Sequence, residues 1–143
     1  MKVRPLKGFD AFDAVLKTGI RVTVGPIGLT VLVTSPSDAV NSISSTKATI
    51  AVGVAVGKRT VRRSVARVRL RRLLRESVRE VTQKMSETLI EARVGTAVVM
   101  WRKPVNRPSD VALKDVQPHV EQAFSELIHR LARRSSHTGE SQR

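Results

Sequence analysis

Ten cationic side chains fall within twenty-two residues of this sequence: Lys58, Arg59, Arg62, Arg63, Arg67, Arg69, Arg71, Arg72, Arg75 and Arg79. Nine of them are arginine. That choice has chemical weight, because a guanidinium fork binds phosphate oxygens through paired hydrogen bonds and stacks on bases, while a lysine ammonium is a point charge. A merely solvated helix face would set acids four positions before its cations for mutual support. Here Glu76 is the only acid inside the span, and Glu80 follows just beyond it. The segment reads as a phosphate-binding surface. If about 5–8 phosphates are neutralised, affinity should fall by several powers of ten over a fourfold rise in salt.

Other chemistries lack their parts. There is no cysteine, which excludes a disulfide scaffold, a thiolate metal site and a cysteine nucleophile. His119 and His129 stand ten residues apart and His137 lies near the end, a spacing that does not suit metal ligands. Asp10 and Asp13 are placed to complement the dipole of a helix. Glu87 and Glu91 read as a solvated face. Gly57-Lys58 resembles the close of a phosphate-binding loop, yet Val52 stands where its first glycine belongs and Arg59 where Ser or Thr is needed. No Ser/His/Asp set is placed by the pattern. The expectation is a chain with no catalytic residue and no metal site of its own.

The whole composition points the same way. Lys and Arg number 26 against 12 Asp and Glu, a formal net charge of +14 over 143 residues. A compact body with that excess repels itself, so an anionic partner is implied, and nucleic acid is the first candidate. Hydrophobic residues at 41% suffice for a core, which at 3% aromatic must be aliphatic. No apolar run approaches the ~18 residues of a membrane span. The cationic start, Met1-Lys2-Val3-Arg4, lacks the apolar stretch of a signal peptide. A soluble cytoplasmic protein without membrane or small-molecule partners is expected.

The elements that must position the cations follow from periodicity. Phe9, Phe12 and Leu16 recur at helical spacing and Gly19 stops that helix. Strands are expected over Ile20–Val24, Ile27–Val33 and residues 48–56, with Gly25-Pro26 turning the first pair. The polar stretch 34–47 reads as a mobile surface loop. A long amphipathic helix then spans Ser64–Lys84. Leu70, Leu73, Leu74, Ser77, Val78, Val81 and Met85 line one side, and Arg69, Arg72, Arg75 and Arg79 the other, with Arg71 at the boundary. Its first turns break the pattern: Val61, Val65 and Val68 fall on the arginine side and Arg67 on the apolar one. A fourth strand over 95–101 and a last helix from near Asp115, with Pro118 in its first turn, complete an α-β-β-β-α-β-α order in one α+β domain. The domain is taken as 1–134, followed by a disordered polar tail at 135–143.

These residues also carry a resemblance. Val52-Gly53-Val54-Ala55-Val56-Gly57-Lys58-Arg59, followed by Val65-Ala66-Arg67-Val68-Arg69-Leu70-Arg71-Arg72-Leu73-Leu74-Arg75-Glu76, resembles the signature of the bacterial ribonuclease P protein component. That signature is a strand ending in a basic pair, then a helix opening Arg-Asn-Arg with further basic pairs. Phe12, Val15 and Gly19 are similar to the family's first helix, and the run from Val98 to Pro104 to its last strand. The likeness covers about residues 6–132 in the right order. Three positions depart from it: Val68 for Asn, Leu16 for a second aromatic, and Gly57 for Ser or Ala.

The resemblance implies a sandwich of the ribosomal-protein-S5-domain-2 type, with a left-handed crossover through the arginine helix. It implies a protein that joins a catalytic RNA and assists removal of the 5′ leader from precursor tRNA, so the enzyme is a ribonucleoprotein endoribonuclease. The RNA would hold the Mg²⁺ ions and perform the hydrolysis. Lys58, Arg59, Arg62, Arg63, Arg67, Arg69, Arg71, Arg72 and Arg75 would bind RNA, with Arg67 and Arg69 nearest its catalytic core. Phe12 and Leu16 would meet the leader in a cleft between the first helix and the sheet. Core packing remains the other reading of Phe12. Val68 is expected either to pack under the sheet edge or to touch a ribose face. The alternatives are a basic ribosomal or ribosome-assembly RNA-binding protein with no role in cleavage, and a sequence-tolerant DNA binder. Absence of Asn and Gln from the arginine face speaks against base reading.

Overall fold

The computed structural model describes residues 2–33, 49–105 and 111–141, excepting the side chains of Phe9 and of positions 134–141. The loop expected at 34–47 lies outside the described residues. In chain order the elements are β1 (Lys2–Pro5), α1 (Phe9–Thr18), β2 (Ile20–Val24), β3 (Ile27–Val33), β4 (Thr49–Val56), α2 (Ser64–Lys84), α3 (Ser86–Glu91), β5 (Val94–Trp101) and α4 (Leu113–Ser141). The α+β class stands, with two elements added to the expected order. One is β1, which has no alternation of its own and becomes a strand by pairing in parallel with β4. The other is α3, six residues long and too short for a periodic signal.

One five-stranded sheet runs β1-β4-β5-β3-β2. β2, β3 and β5 pair antiparallel, and β4 lies parallel to both β1 and β5. Parallel neighbours cannot be joined by a tight turn, so β4 and β5 need a crossover. The arginine helix α2, followed by α3, supplies it. Gly25 has φ 54 at the β2–β3 turn, a left-handed conformation that glycine adopts without penalty.

The two faces of the sheet are unlike. On β4, Ile50, Val52 and Val56 belong to the main core, together with Val22, Ile27, Leu29, Val31, Ala97, Val99 and Trp101 of the other strands. α2 and α4 close this side through Ala66, Leu70, Leu74, Val78, Val81, Val120, Phe124 and Leu127. The alternate residues face the other way, where α1 lies against β3 and β5. Val15, at 2% exposure, anchors α1 there.

α4 begins at Leu113, two residues earlier than expected, and Ala112 N–H donates to the Asp115 carboxylate at 2.9 Å across its first turn. Pro118 therefore lies beyond the first turn, where it withholds the bond that would have gone to the Lys114 carbonyl. The backbone of α4 continues past Arg134, the expected domain end, to Ser141. The side chains of the expected tail lie outside the described residues.

Candidate nucleic-acid interface

The register of α2 sets its charges outward. Ala66, Leu70, Leu73, Leu74, Ser77, Val78, Val81 and Thr82 are its buried residues. At about 100° per residue they occupy one side of the helix. Arg69, Arg72, Arg75 and Arg79 are exposed on the opposite side, and Arg71 is half-buried at the boundary. Lys58, Arg59, Arg62 and Arg63 are exposed on the connection that enters the helix. Among the described residues no ion pair engages any of these cations. The ion pairs among those residues are Lys17–Asp13, Lys84–Glu121 and Arg130–Glu126. The N-terminus of α2 adds positive potential, having no side-chain cap and no acid in its first turn.

Helix α2 is regular from Ser64, so the irregular first turns are packed differently rather than unwound. Val61 precedes the helix and is fully buried. Val65 and Val68 are 68% and 49% exposed, so Val68 does not pack under the sheet edge as one reading expected. Arg67 lies half-buried at the side of the helix, and its head turns back to the carbonyls of Val61 and Arg62. Arg69 leans to the other flank, where its Nε donates to the Val111 carbonyl at 3.3 Å.

A second surface lies across the sheet. Phe12 and Leu16 are half-buried on the inner side of α1. A Cβ on Gly53 would stand 2.4 Å from the Phe12 Cζ, so the ring rests directly on the β4 backbone. The strand register places Ala51, Gly53 and Ala55 beside Thr96, Val98 and Met100, then Leu32, Thr30 and Gly28. Arg102 lies over Gly28, with Nη1 reaching Thr23 Oγ1 at 3.4 Å. Arg4 is level with Ala51 and Arg21 with Thr30 on the same face, and both are exposed. The result is an uncharged floor, made of small residues along β4, with an aromatic ring on it and guanidinium groups at its margins. Arg4, Arg21, Gly53 and Arg102 were not singled out from the sequence. The readable signal was the alternation in Ile50-Ala51-Val52-Gly53-Val54-Ala55-Val56, small residues on one face and branched ones on the other.

Among the described residues the remaining titratable groups do not assemble into a site. Asp13 is paired with Lys17 at 2.9 Å along α1. His119 packs beside Gly25, and Glu87 and Glu91 are exposed. Among the described residues no three His, Asp or Glu side chains stand together as a metal site, and no helix is long and apolar enough to cross a membrane.

Comparison with known proteins identifies the company this architecture keeps. A family model described as Ribonuclease P matches residues 1–128. The solved structure of the Staphylococcus aureus RNase P protein superposes with a TM-score of 0.57 at 14% identity, covering 86% of this chain and 94% of that one. A mutant of that protein with defective mRNA degradation activity matches at 13% identity and a TM-score of 0.47, covering 86% of each chain. No curated protein sequence matches.

Proposed function

The chain belongs to the Ribonuclease P family, and on that premise we propose that it is the protein subunit of a ribonucleoprotein that removes the 5′ leader from precursor tRNA. The exposed cations of α2 and its entering connection bind the catalytic RNA. Phe12 and Leu16, with the small-residue floor beside them, take the single-stranded leader. The observation that carries this reading is the run of cations from Lys58 to Arg79, free of carboxylate partners among the described residues, on a helix locked to the sheet by its other side.

Each part has a physical reason. A folded RNA centre repels every incoming phosphate, and Arg69, Arg71, Arg72 and Arg75 lower that local repulsion. Unpaired nucleotides are held best by stacking together with a basic margin. Phe12 offers the stacking ring, while Arg4, Arg21 and Arg102 flank the floor. Mg²⁺ supplies charge neutralisation and water activation in such a hydrolysis. The described residues offer no carboxylate cluster fitted to hold it, so the ion is assigned to the RNA, and the chain's own task is to bind and orient. The working unit is residues 1–134, acting in the cytoplasm.

The test is reconstitution. The purified chain is mixed with a bacterial ribonuclease P RNA at low Mg²⁺, and leader release from a precursor tRNA is followed. Stimulation above RNA alone is expected, weakened by Arg72→Ala and by Arg75→Ala. A chain that gives no stimulation is not this subunit.

A further inference from the structure

The ten cations are not all placed alike. Arg67 is half-buried, and its Nη1 donates to two backbone carbonyls, Val61 at 3.0 Å and Arg62 at 2.8 Å. Both carbonyls belong to the connection 57–63, which also carries exposed Lys58, Arg59, Arg62 and Arg63. That connection has three other ties: the Val61 N–H donates to the Gly57 carbonyl at 3.0 Å, the Arg67 backbone N–H donates to the Arg63 carbonyl at 3.1 Å, and the Val61 side chain is buried. Beyond these it has little regular structure. Arg72 and Arg75, by contrast, are exposed and make no such bond among the described residues.

We propose that Arg67 is a positioning residue: it clips the connection 57–63 so that four cations stand pre-arranged for RNA phosphates, in place of reaching a phosphate with the nitrogen its carbonyls occupy. This rests on the ribonuclease P reading above. A guanidinium gives charge-assisted bonds to two carbonyls at once from a rigid plane. Here both bonds use the hydrogens of one terminal nitrogen; a lysine keeps the charge, but its ammonium ends one bond nearer the backbone and lacks the rigid plane that aims them. Without the clip, the connection must be ordered when RNA binds, and fixing one residue already carries a factor of about ten in affinity. The phosphates neutralised, however, stay the same, because Lys58, Arg59, Arg62 and Arg63 are still present. Affinity and salt dependence therefore separate.

Two measurements test this. In the free protein, amide hydrogen exchange is compared for wild type, Arg67→Ala, Arg67→Lys and Arg72→Ala. Faster exchange at the Val61 amide is expected in both Arg67 variants and not in Arg72→Ala, with Leu74 in the body of α2 unchanged in all. Unaltered protection at Val61 overturns the clip, whatever the RNA does. The same proteins are then titrated with ribonuclease P RNA over a salt series. Arg72→Ala should lose affinity and make the log–log salt slope shallower by about 0.7–0.9, the share of one phosphate. Both Arg67 variants should lose at least about tenfold in affinity at the wild-type slope. Wild-type affinity in Arg67→Lys, or a slope in Arg67→Ala lowered like that of Arg72→Ala, would make Arg67 an ordinary phosphate contact. Should the wild-type chain itself fail to bind the RNA, the subunit assignment falls, and the exchange result still decides the clip.

Discussion

Gly53→Ala tests the proposed leader platform separately from the fold. The new Cβ would stand 2.4 Å from Cζ, 2.7 Å from Cε1 and 3.1 Å from Cε2 of Phe12. Carbon atoms rest at about 3.5–4.0 Å, so the ring must retreat by roughly 1 Å or leave its rotamer. The ring is half-buried and α1 keeps its buried anchor at Val15, so retreat is possible. Its cost is about 1 kcal/mol for an off-rotamer or displaced side chain. Replacing a strand glycine by alanine returns about 0.5–1 kcal/mol of that. The melting temperature should therefore move by less than about 5 °C. Binding should move much more. Stacking is worth about 1–3 kcal/mol per base, so a displaced ring weakens a leader-bearing precursor by about 5- to 150-fold. The assay is affinity of the reconstituted particle for precursor tRNA beside the same tRNA without a leader. Only the precursor should suffer, and adding Phe12→Ala to Gly53→Ala should change little, since both act through one ring. Equal losses for both tRNAs, or no loss for the precursor, would refute the platform and leave Phe12 as core packing.

Two further substitutions test neighbouring points. A Cβ on Gly19 would meet backbone oxygens, Val15 O at 2.5 Å and Val31 O at 2.7 Å, with Thr30 Cγ2 at 2.6 Å. None of the backbone can swing aside, so Gly19→Ala should cost about 3 kcal/mol or more by denaturant unfolding, against well under 1 kcal/mol for an ordinary surface change. Val68→Asn at an exposed position should leave stability within about 0.5 kcal/mol. It should preserve or raise the stimulation of cleavage by restoring a polar group to the arginine face; a large loss would contradict that reading of the position.

Legibility in the sequence followed the range of the forces involved. The bounds of β2, β3 and α2 were readable because each carries its own period and its own stops: Gly25-Pro26 between the strands, a leucine and valine stripe along the helix. β1 was not, because Lys2-Val3-Arg4-Pro5 has no period and is a strand only through β4, far along the chain. Pro118 shows the same limit at short range, since its first-turn place depended on a helix start that the Asp115 carboxylate moves to Leu113. At the site, a helical wheel put Arg67 on the apolar side. A wheel gives the direction of Cβ alone, and a long side chain can turn its head back along the surface to nearby carbonyls. Phe12 was readable as a candidate, whereas its seat on Gly53 required two elements to meet.

The two surfaces stand on opposite faces of one sheet. α2 packs with Ile50, Val52 and Val56, while Phe12 rests on Gly53, and successive strand residues point to opposite sides. β4 is common to both: it carries the platform on one face, and its end passes into Lys58 and Arg59 and then the arginine helix. On the proposed reading the catalytic RNA and the leader would therefore lie on opposite faces, with Lys58 and Arg59 at the end of β4 between them. Substitutions on the two faces share no partner, so their free energies should add. Phe12→Ala combined with Arg72→Ala should weaken precursor binding by the product of the single factors, to within about twofold. A double variant no worse than either single one would mean that leader and RNA core are gripped as one cooperative surface, and the separation by the sheet would then have no energetic consequence.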